Sequence, residues 1–397
     1  MSGMRDRLAT LSPEQRTALR RRLARQRPTA PAEPAAGPGR AQEGPRWSLF
    51  FFSSDPDDAA AEKYDLLLDC ARFADREGFE AVWIPERHFD AFGAPYPDPA
   101  VLASALVAAT ERIDVRAGSV VLPLHDPLLV AERWAMLDNL SRGRVGLSVA
   151  SGWHAQDFVL APGAYEGRRE LLAERLHELW SLWAGNVVER VDGTGTQAAV
   201  RIFPRPWQAQ LPTWMTSSSN VATWVAAGEL GTNVLTALLE QSVEDVAEKA
   251  AAYRAARQAA GADPDGGAVT LMIHTFVGER LDDVRATVQP ALTRYLSAHV
   301  ALFEKLVRAR GLDVKLETVT EADKETLVNV AFERYFATHG LFGTPESCLE
   351  RVQAFAAAGV DEIACLVDFG VAPDVVLANL ANLARLRREA LAAFSPA

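Results

Sequence analysis

From Trp47 onward the chain alternates between two hydrophobic patterns. Short, mainly apolar runs recur at Ser48–Phe52, Ala81–Pro85, Arg116–Pro123, Val145–Ser151, Thr213–Ser217, Thr232–Leu238, Thr270–Val277 and Glu362–Phe369. Such runs, without regular polar alternation, mark strands buried on both faces, as in a parallel sheet. Between them lie amphipathic stretches: Ala59–Glu77, Pro99–Thr110, Pro127–Leu140, Arg168–Trp183, Val221–Gly228, Val243–Ala260, Thr344–Ala358 and Pro373–Phe394. In Arg168–Trp183 the apolar face is carried by Leu171, Leu172, Leu176, Leu179 and Leu182, which is helical spacing. Gly78 stands where a helix C-terminus is expected, and Asp126-Pro127 where a helix begins.

Eight strands, nearly every one followed by a helix, predict an α/β chain folded as a (β/α)8 TIM barrel. A doubly wound sheet is the alternative, and it would carry fewer units. Two stretches interrupt the alternation. Asn186–Pro206 reads as a hairpin insertion around Asp192-Gly193, and Glu279–Gly340 as a long, charged, mostly helical insertion before the last helix–strand unit. The expected organisation is a barrel domain over residues 47–397, with its insertion at 279–340, behind a leader at 1–46.

The leader differs in composition from the rest. It holds ten arginines and four acids, whereas the remainder has 31 basic and 48 acidic residues. Leu11–Gln26 is expected to form a short helix, with Ser12 as N-cap, Pro13 at the first turn and Gln15 completing a capping box. Leu11, Leu19 and Leu23 give it only a thin apolar stripe, and Pro28–Pro45 has linker composition. A tethered basic helix suits docking to an acidic partner protein, and a frayed terminus is the other reading. The net charge of −11 argues against nucleic acid as a partner. Cys70, Cys348 and Cys365 are three widely spaced cysteines, which fits neither a disulfide framework nor a zinc site and suits a reducing cytoplasm. No apolar run is long enough to span a membrane, and no secretory signal is present. No metal motif, nucleophile elbow or dinucleotide fingerprint occurs, so metal ligands are expected to be none.

A barrel places its chemistry at the C-terminal strand ends, and polar residues collect there. The second strand ends in Glu86-Arg87-His88, the third near His125-Asp126, the fourth in Ser151-Gly152-Trp153-His154 followed by Asp157. The seventh carries His274, and the eighth ends in Asp368. Four of the seven histidines thus fall at strand ends. The fifth strand runs into Ser217-Ser218-Ser219-Asn220 just before a helix. Hydroxyls, free backbone N–H groups and a helix N-terminus together suit an anion such as a phosphate, while a plain N-cap is the structural alternative. Gly118-Ser119 interrupts the third strand where bulk is expected, which marks a bulge or a close approach by a ligand.

These residues carry a family resemblance. From about Trp47 to the C-terminus, and most closely over Trp47–Trp183, the chain resembles the bacterial luciferase-like flavin monooxygenases. The matching stretches are WIPERHFDAFG (83–93), RAGSVVLPLHDP (116–127), DNLSRGRVGLSVASGWHAQDF (138–158) and LPTWMTSSS (211–219). PERHF, RAGSVVLPLHDP, SGWHAQDF and HTF (274–276) in combination resemble the branch associated with nonribosomal peptide and polyketide natural-product (antibiotic) biosynthesis, and the leader resembles module-docking linkers.

The resemblance implies a TIM barrel and a homodimer. It implies reduced FMN (FMNH2) as cofactor, with O2 as co-substrate, delivered by a separate NAD(P)H-dependent flavin reductase. The reaction implied is transfer of one oxygen atom, through a flavin hydroperoxide, to an amino-acyl, peptidyl or polyketide group on an acyl or peptidyl carrier protein. It places a cis peptide at Gly118-Ser119 against the flavin ring and the phosphate at Ser217, Ser218 and Ser219. Ser151, Gly152 and Trp153 join the cofactor site. Glu86, Arg87, His88, His125 and His154 form the catalytic set, and His274 and Asp368 face substrate or lid.

Two departures stand out. Luciferases have Glu-His-His-Phe at the second strand end, and Arg87 replaces the first histidine here. Arginine stays protonated, so it serves to bind an oxyanion or carboxylate and not as a base. The luciferase phosphate arginine is replaced by Ser151, and Arg168 or Arg169, with Tyr165, is the expected substitute. A deazaflavin-dependent oxidoreductase on the same fold, or a flavin-binding or docking protein without turnover, are the alternatives. The atom that receives oxygen is left open among carbon hydroxylation, N-oxygenation and Baeyer–Villiger insertion.

Overall fold

The computed structural model describes residues 44–53, 63–93, 95–239, 241–309 and 321–395. The expected leader helix and linker, and the start of the Ala59–Glu77 helix, lie outside the described residues. Strands are β1 (Arg46–Phe50), β2 (Ala81–Ile84), β3 (Asp114–Val121), β4 (Val145–Ala150), β5 (Val188–Val191), β6 (Gln197–Val200), β7 (Thr213–Thr216), β8 (Asn233–Ala237), β9 (Val269–Val277), β10 (Leu341–Gly343) and β11 (Glu362–Leu366). Helices are α1 (Asp65–Glu77), α2 (Pro99–Ala109), α3 (Pro127–Ser141), α4 (Arg168–Trp183), α5 (Val221–Leu230), α6 (Val243–Ala259), α7 (Leu281–Ala309), α8 (Glu321–Arg334), α9 (Pro345–Ala357) and α10 (Pro373–Phe394).

Eight parallel strands close on themselves in the order β9-β11-β1-β2-β3-β4-β7-β8, and β8 pairs back to β9. This is the expected barrel. Strands β5 and β6 form the separate antiparallel hairpin, turned at Asp192. The insertion is helical, with α7, α8 and a π-helical turn at Tyr335–His339. Strand β10 is an addition to the expected set. It pairs with the far end of β9, which runs past its barrel neighbours. Three residues are too few to display a strand period.

Local chemistry sets the helix starts. Asp98 accepts from the N–H groups of Ala100 and Val101, and Pro99 occupies the first helical position of α2. Asp126 and Pro127 repeat the arrangement at α3, and Ser242 with Asp245 forms a capping box on α6.

The N-terminal end of the barrel is filled by charge. The Arg116 guanidinium sits 5.3 Å from the Trp83 ring and 4.7 Å from that of Trp214. It donates to Glu362 at 2.9 Å and to Asp114 at 2.8 Å. Glu362 also accepts from Trp83 Nε1 at 3.0 Å and from the Ser48 hydroxyl. Burial opposes the Glu362 charge, but Arg116 and Arg46 hold its carboxyl below the usual range. A paired and hydrogen-bonded plug of this kind satisfies the buried charges at that end, and the polar strand ends lie at the other.

Candidate active site at the barrel mouth

Two clusters meet at the end of β2. The first is centred on Glu86, whose side chain is fully buried. Its Oε1 accepts from His125 Nε2 at 2.6 Å and from His88 Nε2 at 2.9 Å. Its Oε2 accepts from the Val121 N–H at 2.7 Å, at the end of β3. Burial pushes this carboxyl up, yet the bonds from His125, His88 and Val121 outweigh it and hold it below its ordinary value. Glu86 is thus an ionised acceptor between two imidazoles, and the expected grouping of Glu86, His88 and His125 is observed.

The second cluster is centred on Arg87, which is 1% exposed. Its Nη1 donates to Asp157 and to His154 Nδ1, the latter at 3.0 Å. His154 Nδ1 also lies 3.3 Å from Asp157 Oδ1, so this one nitrogen faces both the arginine donor and the carboxylate acceptor. Asp157 comes from the 3-10 turn after β4 (Ala155–Leu160), three residues beyond His154. The Trp153 ring lies 5.3 Å from the guanidinium carbon and is 42% exposed, so one face covers the arginine and another part meets solvent. Arg87 Nε and Nη2 are buried and have no hydrogen-bond partner among the described residues.

Between the clusters runs the β3–β4 wall. The Gly118-Ser119 peptide is cis, as the resemblance implied, and the β3–β4 register shifts between Ala117 and Val120. A Cβ on Gly118 would stand 2.8 Å from Phe50 and 3.1 Å from Trp83, so only glycine fits. Ser119 is tied to Thr216 and, at 3.3 Å, to Ser148, while Ser148 and Thr216 are 2.6 Å apart. Three strands therefore share one hydroxyl network, and Thr216 remains exposed at the mouth.

The loops after β4 and β7 are adjacent because the strands are paired. Gly152 has φ +79, and a Cβ there would stand 2.8 Å from both Phe158 and Val121, leaving no room for a side chain. Arg168 donates from Nε to the Gly152 carbonyl at 3.0 Å and from Nη1 to the Tyr165 carbonyl at 2.6 Å, with its guanidinium 4.3 Å from the Tyr165 ring. Ser151 is half-buried beside them. In the serine run, Ser217 is buried and donates to the Asn220 carbonyl at 3.3 Å. Asn220 caps α5 by accepting from Ala222 N at 3.1 Å. Ser218 is half-buried and Ser219 exposed, while Ser217 fastens the loop.

His274 and Asp368 stand apart from the two clusters. His274 is buried among Tyr295, Tyr335 and Phe369, with ring centroids 4.9, 5.4 and 5.7 Å away. Tyr295 and Tyr335 belong to the helical insertion, so the insertion packs directly on a barrel strand. Asp368 accepts from the Tyr96 hydroxyl at 2.6 Å and from Phe52 N at 2.7 Å. Burial pushes its carboxyl up to about 6, against these two donors. The Tyr96 backbone carbonyl in turn accepts from the Arg87 N–H at 2.9 Å, which links this pair to the β2 end.

Ser148 and Tyr96 were not expected as site residues, and Asp157 and Thr216 were noted at the ends of the fourth and fifth strands without a role. The i, i+3 spacing of His154 and Asp157 was the one available signal for Asp157; the others look like ordinary strand or loop residues. Among the described residues no group of side chains could hold a metal ion, and no helix is long and apolar enough to cross a membrane.

The pattern of the Luciferase-like monooxygenase family matches residues 46–362. The oxygenase component of a flavin-dependent trigonelline monooxygenase from Acinetobacter baylyi is 25% identical over 368 residues, covering 88% of this chain and 96% of that one. Monooxygenase RslO1 from Streptomyces bottropensis superposes with a TM-score of 0.70 at 22% identity, over 87% of this chain and 99% of that one. The oxygenating constituent of 3,6-diketocamphane monooxygenase from Pseudomonas putida, a type II Baeyer–Villiger enzyme solved with FMN, superposes at 0.67 with 18% identity, over 88% and 98%. These likenesses and the barrel mouth agree, and the chain belongs to the luciferase-like monooxygenase family.

Proposed function

We propose that this chain is the oxygenase component of a two-component flavin monooxygenase that takes reduced FMN from a separate NAD(P)H-dependent reductase. Bound FMN supplies the two electrons that divide O2, one oxygen atom going to substrate and the other to water. The residues present suit that cofactor. The cis Gly118-Ser119 wall and exposed Thr216 offer a flat backing. Ser218, Ser219 and the α5 N-terminus suit the phosphate, with Tyr165 and Arg168 ordering the neighbouring loop.

The observation that carries the reading is the unused edge of Arg87. A guanidinium held at Nη1 by Asp157 and His154, with Nε and Nη2 buried and unpartnered, is a preorganised donor pair for an oxygen that gains negative charge. Trp153 covers it and His154 fixes it. His274 and Asp368, with the insertion packed above them, border the substrate side. We place the substrate among amino-acyl, peptidyl or polyketide groups on a carrier protein, since a basic leader suits an acidic carrier.

A homodimer also belongs to this reading. The outer face of α2 and α3 exposes Val101, Leu129, Met136 and Leu140, each more than half exposed. On α3 these fall on one side of the helix, and α2 contributes Ser104, Ala105 and Ala108 beside Val101. A contiguous apolar face with small residues suits close packing on a second copy.

The test is mass spectrometry of a carrier-bound aminoacyl thioester after incubation with reduced FMN and O2. The expected product is heavier by one oxygen atom, and the gain disappears when residues 1–46 are deleted. Absence of substrate-dependent oxygen consumption across such thioesters would overturn the assignment.

A further inference from the structure

Arg87 is covered by two neighbours of different character. The first is the loop after β2. A Cβ on Gly93 would stand 2.6 Å from Arg87 Cγ, so that backbone rests directly on the arginine stem. It is tied down there. Gly93 N–H donates to the Ser53 carbonyl at 2.7 Å, and the Gly93 carbonyl accepts from Tyr96 N–H at 3.1 Å. Phe92 beside it is buried, with its ring 5.1 Å from that of Phe52 and 4.9 Å from that of Tyr295. The second cover is the Trp153 indole, 5.3 Å from the guanidinium carbon. This ring is 42% exposed, whereas Arg87 is 1% exposed.

The backbone on both sides of Trp153 is anchored. The Gly152 carbonyl accepts from Arg168 Nε at 3.0 Å. His154 is bonded by Arg87 Nη1 at 3.0 Å, and its carbonyl accepts from Asp157 N–H at 3.2 Å. The Trp153 side chain is therefore the part of this loop that can turn without breaking a hydrogen bond among the described residues. Its rotation gives up a cation–π contact and little else.

We propose that Trp153 gates the Nε–Nη2 edge of Arg87 and so determines which acceptors reach it. The inference rests on the reading of that edge as a donor to oxygen. Two charged donors buried without an acceptor are costly to the fold, and an indole that turns aside lets an acceptor reach them. The ligand class is a planar oxygen acceptor, with a carboxylate as the simplest member, because the fork presents two parallel N–H groups in one plane.

The test needs no flavin. In protein labelled with ¹⁵N-arginine, the Arg87 Nε–H resonance is the one lost in R87K, and its exchange with solvent reports how often the edge opens. Exchange in W153A is expected to be at least about tenfold faster than in wild type, with W153F within about threefold of wild type. Equal rates in wild type and W153A overturn the gate. So does a wild-type Arg87 Nε–H that exchanges as fast as that of Arg72, whose side chain is 48% exposed, even if W153A does not fold.

Formate, a planar probe with two oxygens, separates the gate from the donor. Followed at the same resonance, its apparent affinity is expected to rise at least about fivefold in W153A, because the open state is no longer the minor one. A formate affinity unchanged by W153A overturns the gate. Formate that leaves the Arg87 resonance unmoved in both proteins would instead sink the donor reading of the edge, while the exchange rates still decide the gate.

Discussion

Asp157 holds Arg87 by Nη1 alone and leaves the Nε–Nη2 edge of the guanidinium buried without a partner among the described residues. The carboxylate neutralises a charge that would be costly to bury, and it does so without consuming the edge best suited to a planar acceptor. His154 bonds the same Nη1 and so adds orientation without competing. The arginine that replaces the luciferase histidine is thus built in as a fixed donor.

Substitutions at this pair separate folding from chemistry. D157N removes the countercharge of an arginine that is 1% exposed, and chemical denaturation is expected to show a loss of about 3 kcal/mol. R87K keeps a cation for Asp157 but loses the second edge. Turnover is expected to fall by about 10–100-fold, or roughly 1.4–2.7 kcal/mol, with FMN affinity unchanged. Full turnover in R87K would remove the donor role.

The buried Asp368 predicts a pH dependence of stability. Burial lifts its carboxyl to about 6 from an ordinary 3.8, so over that interval the folded protein keeps a proton that the unfolded chain releases. Its contribution is complete below the lower value and is lost as pH rises through the upper one. In D368N the loss is absent. The unfolding free energy of wild type relative to D368N is expected to drop by roughly 2–3 kcal/mol between acid and neutral pH. A flat or rising difference would show that Tyr96 and Phe52 stabilise the anion more than burial opposes it.

The barrel could be read from the chain because strands buried on both faces stand out as short apolar runs between amphipathic helices. All eight were placed within a few residues, whereas β10 escaped notice because Leu341–Gly343 is too short to show a period. The grouping of Glu86, His88 and His125 followed from their strand-end positions, since a closed barrel brings such ends together. Asp157 did not follow, because its meeting with Arg87 depends on the path of an irregular 3-10 turn. The serine run looked uniform. Only the structure separates Ser217, which closes the loop onto Asn220, from the more exposed Ser218 and Ser219. Arg116 stands two residues before Gly118 in the third strand, yet its place in the plug rests on Glu362, 246 residues away.

The apolar face of α2 and α3 gives a prediction of assembly. M136E/L140E puts two charges into a surface where both side chains are more than half exposed, at 54% and 67%. These side chains contribute little to the fold of one copy, so the melting temperature of dilute protein should change little. The mass from light scattering is expected to halve. A wild-type protein that is already monomeric, or a variant that remains dimeric, would place the second copy elsewhere or remove it.

The more exposed serines give the sharpest test of the cofactor's position. Ser217 supports the loop through Asn220, so changing it mixes structure with binding, and the informative variant is S218A/S219A. If these hydroxyls and the α5 N-terminus hold the phosphate, two hydrogen bonds to a charged group are lost. Calorimetry should then show FMN affinity weakened by about 10–100-fold, or 1.4–2.7 kcal/mol. Riboflavin lacks the phosphate, and its affinity should stay within about twofold. Equal weakening of both ligands would mean that the serines shape the pocket without touching the phosphate. If neither ligand is affected, the phosphate belongs to the loop ordered by Tyr165 and Arg168, and an R168A variant should then weaken FMN selectively.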